Sequence, residues 1–377
     1  MILGIDASNI RGGGGITHLT ELLNVYDSQK YSFTKIIVWS GKSTLNRLPN
    51  YSWLEKRTHR FLDWNVFFRL FWQIFLAKHV IPKSKIDLLF VPGALYYVSF
   101  SPLVSMSQSM LPFEDREIAR YGFSYMKIRL KLLQKKQAKG FVDADGVIFL
   151  AQYAKNSIGK QLNGEMKSTA IVPYGLSSHF IEEPKAQRDI SSCRPNDPFE
   201  LLYVSTIDVY KHQKNLVPVV VRLFNEGFNV SLKIVGPSYE PELVLLKSAI
   251  QKHDPEGKVI NFVGEVPYSK LKAVYQGADL FVFASSCENL PNILVEAMAS
   301  GLPIACSNMG PMPDVLKDGG LYFNPENQED IYTCLREMIS NKALREEFAK
   351  RSNVYARDYS WQKCAHQTFN YLSSFVK

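Results

Sequence analysis

Residues 279–303 have the sequence DLFVFASSCENLPNILVEAMASGLP, and their pattern decides the type of fold. An apolar, strand-like run comes first, and a helical pattern that ends at glycine and proline follows after a short loop. A buried strand followed by a helix is the βα unit of a parallel sheet covered by helices. Ligands bind such sheets at the carboxyl ends of the strands, so the loop in this stretch is a candidate site.

Two glutamates, Glu288 and Glu296, lie in this loop and in the helical pattern after it. In a helix their separation corresponds to about 12 Å, so the two carboxylates can accept hydrogen bonds from distant hydroxyl groups of one elongated ligand. A sugar and a ribose fit these positions, with a phosphate at the helix start between them. The spacing alone favours two solvated glutamates, because carboxylates near helix starts are common, and both interpretations stay open at this point.

The same alternation of strand and helix extends along the whole chain. Apolar runs predict strands in the first half at 1–6, 35–41, 86–93, 102–108, 146–151 and 168–175. Further runs predict strands in the second half at 200–205, 231–237, 259–266, 279–285 and 302–308. The sequence therefore predicts two successive α/β domains with parallel sheets and a cleft between them.

The domain boundaries follow from one break in this pattern. Residues 181–199 are polar, carry three prolines and lack periodicity, which is typical of a linker. We therefore predict a first domain at 1–180, a linker at 181–199, a second domain at 200–358 and a helical segment at 359–377.

Composition narrows the class of protein. The chain has 377 residues, of which 46% are hydrophobic and 21% charged, which is typical of a globular protein with about two domains. The net charge of +8 indicates an anionic partner, and nucleic acid, anionic lipid and phosphorylated small molecules all stay open. Five scattered cysteines predict reduced thiols in a cytosolic protein. We expect no secretion signal and no membrane span, since the longest apolar stretch contains Arg69 and Gln73.

The residues around the two glutamates resemble the family-4 retaining glycosyltransferases of the GT-B fold. That family has a strand ending in serine, a glutamate, seven residues, and a second glutamate followed by Ala-Met-Ala-x-Gly-x-Pro. Here Ser285 and Ser286 precede Glu288, and Glu296 begins EAMASGLP. The resemblance is strong over 199–330 and weaker before. It implies two Rossmann-like domains facing a cleft, with the segment 359–377 crossing back to the first domain.

The resemblance also implies a donor site for a nucleoside diphosphate sugar in the second domain. Glu288 is expected to contact hydroxyls of the transferred sugar and Glu296 the ribose, with Val263 and Gly264 near the nucleobase.

The loop after Glu288 departs from the family pattern. Asn289, Leu290 and Pro291 stand where the family often has Gly-Phe-Gly, and we include Asn289 and Leu290 in the donor site. Asn289 can donate a side-chain hydrogen bond, whereas Pro291 has no N–H. The number of backbone donors to the sugar or diphosphate therefore stays open.

Two lysines follow the strand at 200–205. Lys211 and Lys214 can neutralise a diphosphate leaving group without a metal. Thr206 stands where the family usually places an arginine, so Lys214 or His212 is a candidate replacement for that cation. The alternative is a pair of surface lysines beside a loop.

A glycine run follows the first predicted strand. By resemblance, Gly13 and Gly14 face the donor, and Gly15 faces the acceptor. Thr17 breaks a GxGxxG fingerprint, so a dinucleotide site is not supported. His18 is an acceptor-side candidate, or a buried structural histidine.

Gln108 stands where the family commonly has a histidine, and it cannot act as a general base. We assign it a catalytic, hydrogen-bonding role and expect the leaving phosphate to take the acceptor proton, with Glu114 or Asp115 available on the acceptor side. Asp143 and Asp145 imitate a D-x-D metal motif but precede a strand, so we predict a turn there and no metal.

Two stretches of the first half combine aromatic and basic residues. Residues 53–85 carry eight Trp and Phe residues, interleaved with basic ones, and 125–139 has a basic amphipathic pattern. Together they fit an anionic membrane surface, or core aromatics under a solvated basic face. No nucleic-acid motif is present.

The sequence thus predicts a retaining, metal-independent glycosyltransferase of hexosyltransferase type, which uses Glu288, Lys211 and Gln108 and no cofactor. The expected acceptor is a saccharide, lipid-linked, in cell-surface polysaccharide synthesis. The expected location is the cytoplasm, peripheral on the inner face of the membrane. Two alternatives stay open: a GT-B epimerase or phosphorylase, and a non-catalytic sugar-nucleotide-binding module.

Overall fold

The computed structural model describes residues 1–376, which divide into two compact units. The first unit contains Met1–Ile118, Phe123–Gly175 and the segment from Ser360 onward. The second unit contains Ala119–Gly122 and Leu176–Tyr359. Each unit is a parallel sheet with helices, which confirms the predicted α/β class.

Within the described chain, seven parallel strands form the first sheet: β1 (Ile2–Asp6), β2 (Lys35–Trp39), β3 (Leu54–Arg57), β4 (Leu88–Val91), β5 (Leu103–Met106), β6 (Gly146–Phe149) and β7 (Thr169–Ile171). Their order is β3-β2-β1-β4-β5-β6-β7. The middle strands β4, β5 and β6 are buried along their whole length, as expected for strands covered on both faces.

Six parallel strands form the second sheet over the same described residues: β8 (Phe199–Val204), β9 (Val230–Val235), β10 (Ile260–Gly264), β11 (Leu280–Phe283), β12 (Ile304–Ser307) and β13 (Leu321–Phe323). Their order is β10-β9-β8-β11-β12-β13. The strands β8 and β11 are therefore neighbours, and the loops that follow them emerge side by side at the carboxyl edge.

The helices connect and cover these strands. They are α1 (Gly13–Asn24), α2 (Lys42–Leu45), α3 (Arg60–Asp63), α4 (Val66–Phe71), α5 (Ala77–Val80), α6 (Asp115–Arg120), α7 (Tyr125–Asp143), α8 (Gln152–Gly159), α9 (Gln213–Asn225), α10 (Glu240–His253), α11 (Tyr268–Gly277), α12 (Asn292–Ala299), α13 (Met312–Leu316), α14 (Gln328–Ser340), α15 (Lys342–Ala356) and α16 (Trp361–Ser373). A π-helical turn spans Trp72–Leu76, and short 3-10 turns span Pro82–Ser84, Leu111–Phe113, Ser178–Phe180, Ile190–Ser192 and Val209–Lys211.

The segment 181–199, predicted as a linker, packs against the second unit. Arg188 lies 2.8 Å from the buried carboxylate of Asp279, and the Asn353 amide donates to the Glu182 carbonyl at 2.9 Å. The segment lacks a periodic pattern because polar contacts, and not a helix or strand face, attach it.

The segment predicted at 359–377 forms α16 and counts with the first unit. Its last residue, 377, lies outside the described residues. Phe369 of α16 packs against Tyr26, with ring centres 4.5 Å apart. Among residues 1–376, the model contains no helix with both the length and the apolar character needed to cross a bilayer.

Candidate functional site

The loops after β8 and β11 are joined by hydrogen bonds at the carboxyl edge of the second sheet. The Ser286 backbone N–H donates to the Tyr210 carbonyl at 2.8 Å, and the Ser286 hydroxyl lies 2.8 Å from Nε2 of His212. His212 has a φ of 53°, in the left-handed region, and this turns the chain into α9. The two loops therefore form one connected platform.

An ion pair between Lys211 and Glu288 lies on this platform. Asp208 caps the short turn that carries Lys211, because its carboxylate accepts from the Val209 N–H at 2.8 Å. The side chains of Lys211 and Glu288 are only 7% and 15% exposed. The ammonium also lies 5.1 Å from the ring centre of Tyr210. A fixed cation and a fixed carboxylate thus meet where the sequence predicts the donor's diphosphate and sugar.

Glu296 is buried on α12, with 8% of its surface exposed. The hydroxyl of Tyr275 lies 3.1 Å from Oε2, and that of Tyr268 lies 3.4 Å from Oε1. Burial raises the pKa of Glu296 to about 7, although both tyrosine hydrogen bonds act to lower it. A carboxylate has about four acceptor sites, so Glu296 can still accept bonds from a ligand hydroxyl.

The start of α12 offers fewer backbone donors than an open helix end. The Asn292 N–H already donates to the Leu290 carbonyl at 2.9 Å, and the N–H groups of Leu294 and Val295 bond to Pro291. Asn289 and Leu290 are buried. Carbonyl groups of the Asn289-Leu290-Pro291 segment therefore accept the bonds of the first N–H groups of α12. Few backbone N–H groups at this helix start are left to donate to a sugar or diphosphate.

Three further predicted residues lie at strand ends of the second sheet. Val263 is exposed, and Gly264 has a φ of 81° at the end of β10. The Gly264 carbonyl accepts from the Gly236 N–H at 2.8 Å, which ties β10 to the end of β9. Thr206 is exposed directly after β8. The structure thus places all three at the same carboxyl edge as Lys211.

Lys214 does not join the Lys211–Glu288 pair. Its ammonium lies 2.8 Å from Oε1 of Glu242 on α10, a carboxylate whose side chain is 4% exposed. A buried carboxylate needs this cation, because an unpaired charge in the interior is costly. The prediction that Lys214 binds the diphosphate therefore has to be corrected: its charge is used within the fold.

The glycine run opens α1 in the first unit. Gly13 has a φ of 60°, which favours glycine, and no side chain caps the helix at Gly12. Gly14 follows within α1. A side-chain carbon built at Gly15 would lie 3.1 Å from Oε1 of Gln108. The structure therefore brings Gly15 and Gln108 together at the carboxyl edge of the first sheet.

Gln108 follows β5, and among the described residues its amide nitrogen has no hydrogen-bond partner. Glu114 accepts a hydrogen bond from the Tyr153 hydroxyl at 2.7 Å. Burial raises the pKa of Glu114 above its usual value. Both side chains are partly buried.

His18 lies in the core, and its acceptor-side assignment is corrected. It is fully buried and stacks on Tyr174, with ring centres 4.5 Å apart. Burial lowers its pKa to about 3, so the ring is neutral at physiological pH. A side chain with no solvent-accessible surface is not positioned to contact an acceptor hydroxyl.

The D-x-D sequence at 143–145 is a structural turn. Asp145 accepts from the Leu103 N–H at 2.9 Å and pairs with Lys167 at 2.9 Å, while Asp143 ends α7. Nowhere in residues 1–376 do three side chains of His, Cys, Asp or Glu converge as a metal site would need.

Two features of the site were not predicted from the sequence: the tyrosines that bond to Glu296 and the carboxylate that pairs with Lys214. Tyr275 and Glu242 lie 21 and 28 residues away in the chain, on helices that the sheet brings together. No short spacing encodes such a contact.

Comparison with known proteins finds a family model that matches nearly half of the chain and a relative that matches more of it. Residues 186–354 match the family model described as glycosyl transferases group 1. O-antigen chain mannosyltransferase B of Escherichia coli is 23% identical over 273 residues, which cover 70% of each chain. The family-model match includes the residues that carry the Lys211–Glu288 platform.

Two solved structures share the fold along nearly the whole chain. One is HepE from Anabaena in complex with UDP-glucose, with a TM-score of 0.74 at 16% identity over 99% of this chain and 100% of that one. The other is sucrose-phosphate synthase from Thermosynechococcus elongatus, with a TM-score of 0.76 at 16% identity over 98% of both chains. The predicted GT-B fold is thereby confirmed.

Proposed function

We propose that this chain is a group 1 glycosyl transferase, the family whose model its residues 186–354 match, and that it transfers a sugar with retention from a nucleoside diphosphate sugar to a saccharide acceptor. The acceptor is lipid-linked and the product enters cell-surface polysaccharide synthesis. The name of the mannosyltransferase relative, which acts on an O-antigen chain, supports a saccharide acceptor. The HepE complex supports a nucleotide-sugar donor and makes UDP-glucose the first donor to test.

The observation that carries the proposal is the Lys211–Glu288 pair at the carboxyl edge of the second sheet. When the bond from the sugar to the diphosphate breaks, negative charge develops on the leaving phosphate. Once the donor is bound, an ammonium held near that phosphate stabilises the charge as it forms. On donor binding, Lys211 turns from Glu288 towards the phosphate, and Glu288 accepts hydrogen bonds from sugar hydroxyls.

Glu296 holds the other end of the donor in this proposal. Its carboxylate accepts bonds from the ribose hydroxyls, next to the exposed Tyr268 ring. Val263 and Gly264 then lie beside the nucleobase. Few backbone N–H groups at the start of α12 are left to bind the nucleotide sugar, so side chains make most of the hydrogen bonds to it.

On the acceptor side, Gln108 positions a hydroxyl and does not remove its proton, because a carboxamide is not a base. As the bond from the anomeric carbon to the phosphate oxygen breaks, the acceptor oxygen bonds to that carbon from the same face, which gives retention, and its proton passes to the departing phosphate. Lys211 supplies the positive charge, so the proposed reaction is metal-independent and uses no cofactor. The enzyme works in the cytoplasm, at the inner face of the membrane that holds its lipid-linked acceptor.

Transfer of radiolabelled sugar from a nucleotide sugar to a lipid-linked saccharide tests the proposal. We expect Lys211→Gln to lower kcat about 10²–10³-fold, the usual effect of removing a group that stabilises developing charge. The matched control replaces Lys214 and Glu242 together with glutamine, which removes the nearby ion pair between α9 and α10 and leaves no unpaired charge. That control should keep near-normal turnover.

Three results would contradict the proposal. Donor binding without transfer to any acceptor would favour a non-catalytic binding module. Inversion at the anomeric carbon of the product would exclude retention. An equal loss of turnover in the Lys211 variant and in the control pair would remove Lys211 from the reaction.

A further inference from the structure

The outward face of α7 is apolar, which is the reverse of an ordinary surface helix. Tyr125, Ile128 and Leu132 are 79%, 63% and 56% exposed, and Phe123 just before the helix is completely exposed. They follow one another at three- and four-residue spacing, so they form one stripe along the helix. The large residues that α7 buries, Leu130 and Phe141, lie on the opposite side.

Cations border this stripe on both sides. At 100° per residue, Lys131 and Lys135 fall on one flank, and Arg129 and Lys136 on the other. Lys127, Lys131 and Lys135 line a groove of about 610 Å³ together with the exposed apolar residues of the stripe. In α7 the acidic residue is Asp143, in the last turn and paired with Lys139 at 2.8 Å. Asp115 of α6 pairs with Lys131, and no such ion pair is found for Lys127, Lys135 or Lys136 among the described residues. The stripe therefore has a strongly positive border.

A second exposed apolar stripe lies in the same unit. Phe67, Phe71 and Phe75 repeat every four residues through α4 and the π-helical turn, and all three are exposed. Single exposed apolar residues are common, but contiguous rows of them mark an interaction surface. Two such rows in one unit point to a broad apolar partner.

We infer that the outward face of α7 binds in the plane of an anionic lipid bilayer. Phe123, Ile128 and Leu132 enter the boundary between headgroups and acyl chains, while the flanking lysines extend to lipid phosphates. The positive border argues against a second copy of this chain, because a twofold contact would set like charges against each other. The inference deepens the proposed function by naming the partner that brings a lipid-linked acceptor to the enzyme, and the donor site takes no part in it.

Vesicle flotation of the full chain tests this surface. We expect binding to vesicles of phosphatidylglycerol and phosphatidylcholine, with much weaker binding to phosphatidylcholine alone and release by salt. The triple variant Phe123→Ser, Ile128→Ser, Leu132→Ser should bind the anionic vesicles at least ~10-fold more weakly, given the apolar area it removes. The control variant Val244→Ser, Leu245→Ser removes residues 56% and 48% exposed on α10 and should bind normally.

The inference would be overturned if wild-type protein does not bind anionic vesicles, or if the triple variant floats with them as well as wild type does. A wild-type dimer that becomes monomeric in the triple variant, without vesicle binding, would assign the stripe to self-association and overturn it as well. Transfer to a water-soluble acceptor saccharide separates the two proposals, because the triple variant should keep that activity. If wild type also fails there, the proposed transferase function fails independently of the membrane surface.

Discussion

Glu296 is positioned to bind a ligand hydroxyl, but the burial of its carboxylate lowers the free energy of unfolding. In the folded chain burial raises its pKa from 4.5 to about 7, so it keeps its proton between these two pH values while the unfolded chain loses it. The folded state then binds more protons, and stability falls as pH rises through this window. One pKa unit corresponds to ~1.4 kcal/mol, so the whole effect reaches about 3 kcal/mol.

We therefore expect Glu296→Gln to unfold at a higher temperature than wild type at pH 8 and to lose this advantage near pH 5. A neutral amide of the same shape avoids the burial of a charge and can still bond to Tyr268 and Tyr275. Thermal unfolding of both proteins across this pH range checks the expectation. If the difference in unfolding temperature between wild type and Glu296→Gln stays constant with pH, the surroundings of Glu296 do not disfavour its charged form.

Single residues were predictable where the chemistry is local. Glu288 and Lys211 lie in loops that follow strands, Glu296 lies in the helix after the second loop, and the sequence around them indicates their positions. His18 shows the limit, because its burial depends on Tyr174, which lies far away in the chain. The Lys214–Glu242 pair likewise depends on the packing of α9 on α10.

At the scale of elements, apolar runs located the central strands and the edge strands β7 and β10, but not the edge strands β3 and β13. The missed strands β3 and β13 lie at the edges of their sheets, and β3 has the sequence LEKR. An edge strand faces solvent and carries charges that discourage further pairing, so it lacks the apolar run that identifies a central strand. The helix α7 was predicted as basic and amphipathic, but sequence alone did not indicate that its apolar stripe faces solvent.

The helix α16 is held to the first unit by a close approach at Gly175. A side-chain carbon at Gly175 would lie 2.5 Å from Cα of Trp361 and 2.6 Å from its ring. We expect Gly175→Ala to destabilise the first unit by about 1–3 kcal/mol, because the added methyl group displaces the start of α16. Chemical denaturation of the full chain measures the loss.

Gly277→Ala is the matched control, since no atom lies within 4 Å of a side-chain carbon at that position. It should leave the denaturation midpoint nearly unchanged. Equal midpoints for the two variants would show that α16 does not depend on the Gly175 contact.

At the scale of the whole molecule, each unit places its candidate residues at the carboxyl edge of a parallel sheet. Gly15 and Gln108 lie there in the first unit, and the Lys211–Glu288 platform and Thr206 lie there in the second. The fold could be predicted because a parallel sheet imposes long apolar runs and fixed strand-to-helix alternation. Donor identity could not, because side chains at the site, and not the fold, select the sugar and the base.

Donor binding by the full chain tests the central claim most directly. In a thermal-shift panel of UDP-, GDP-, dTDP- and CMP-sugars, one class should stabilise wild type by about 2.7 kcal/mol at 100 times its Kd. The same ligand should give no shift with a folded Glu296→Ala variant. The absence of any shift with wild type, or an undiminished shift in the variant, would contradict the assignment of this edge of the second sheet as a nucleotide-sugar site.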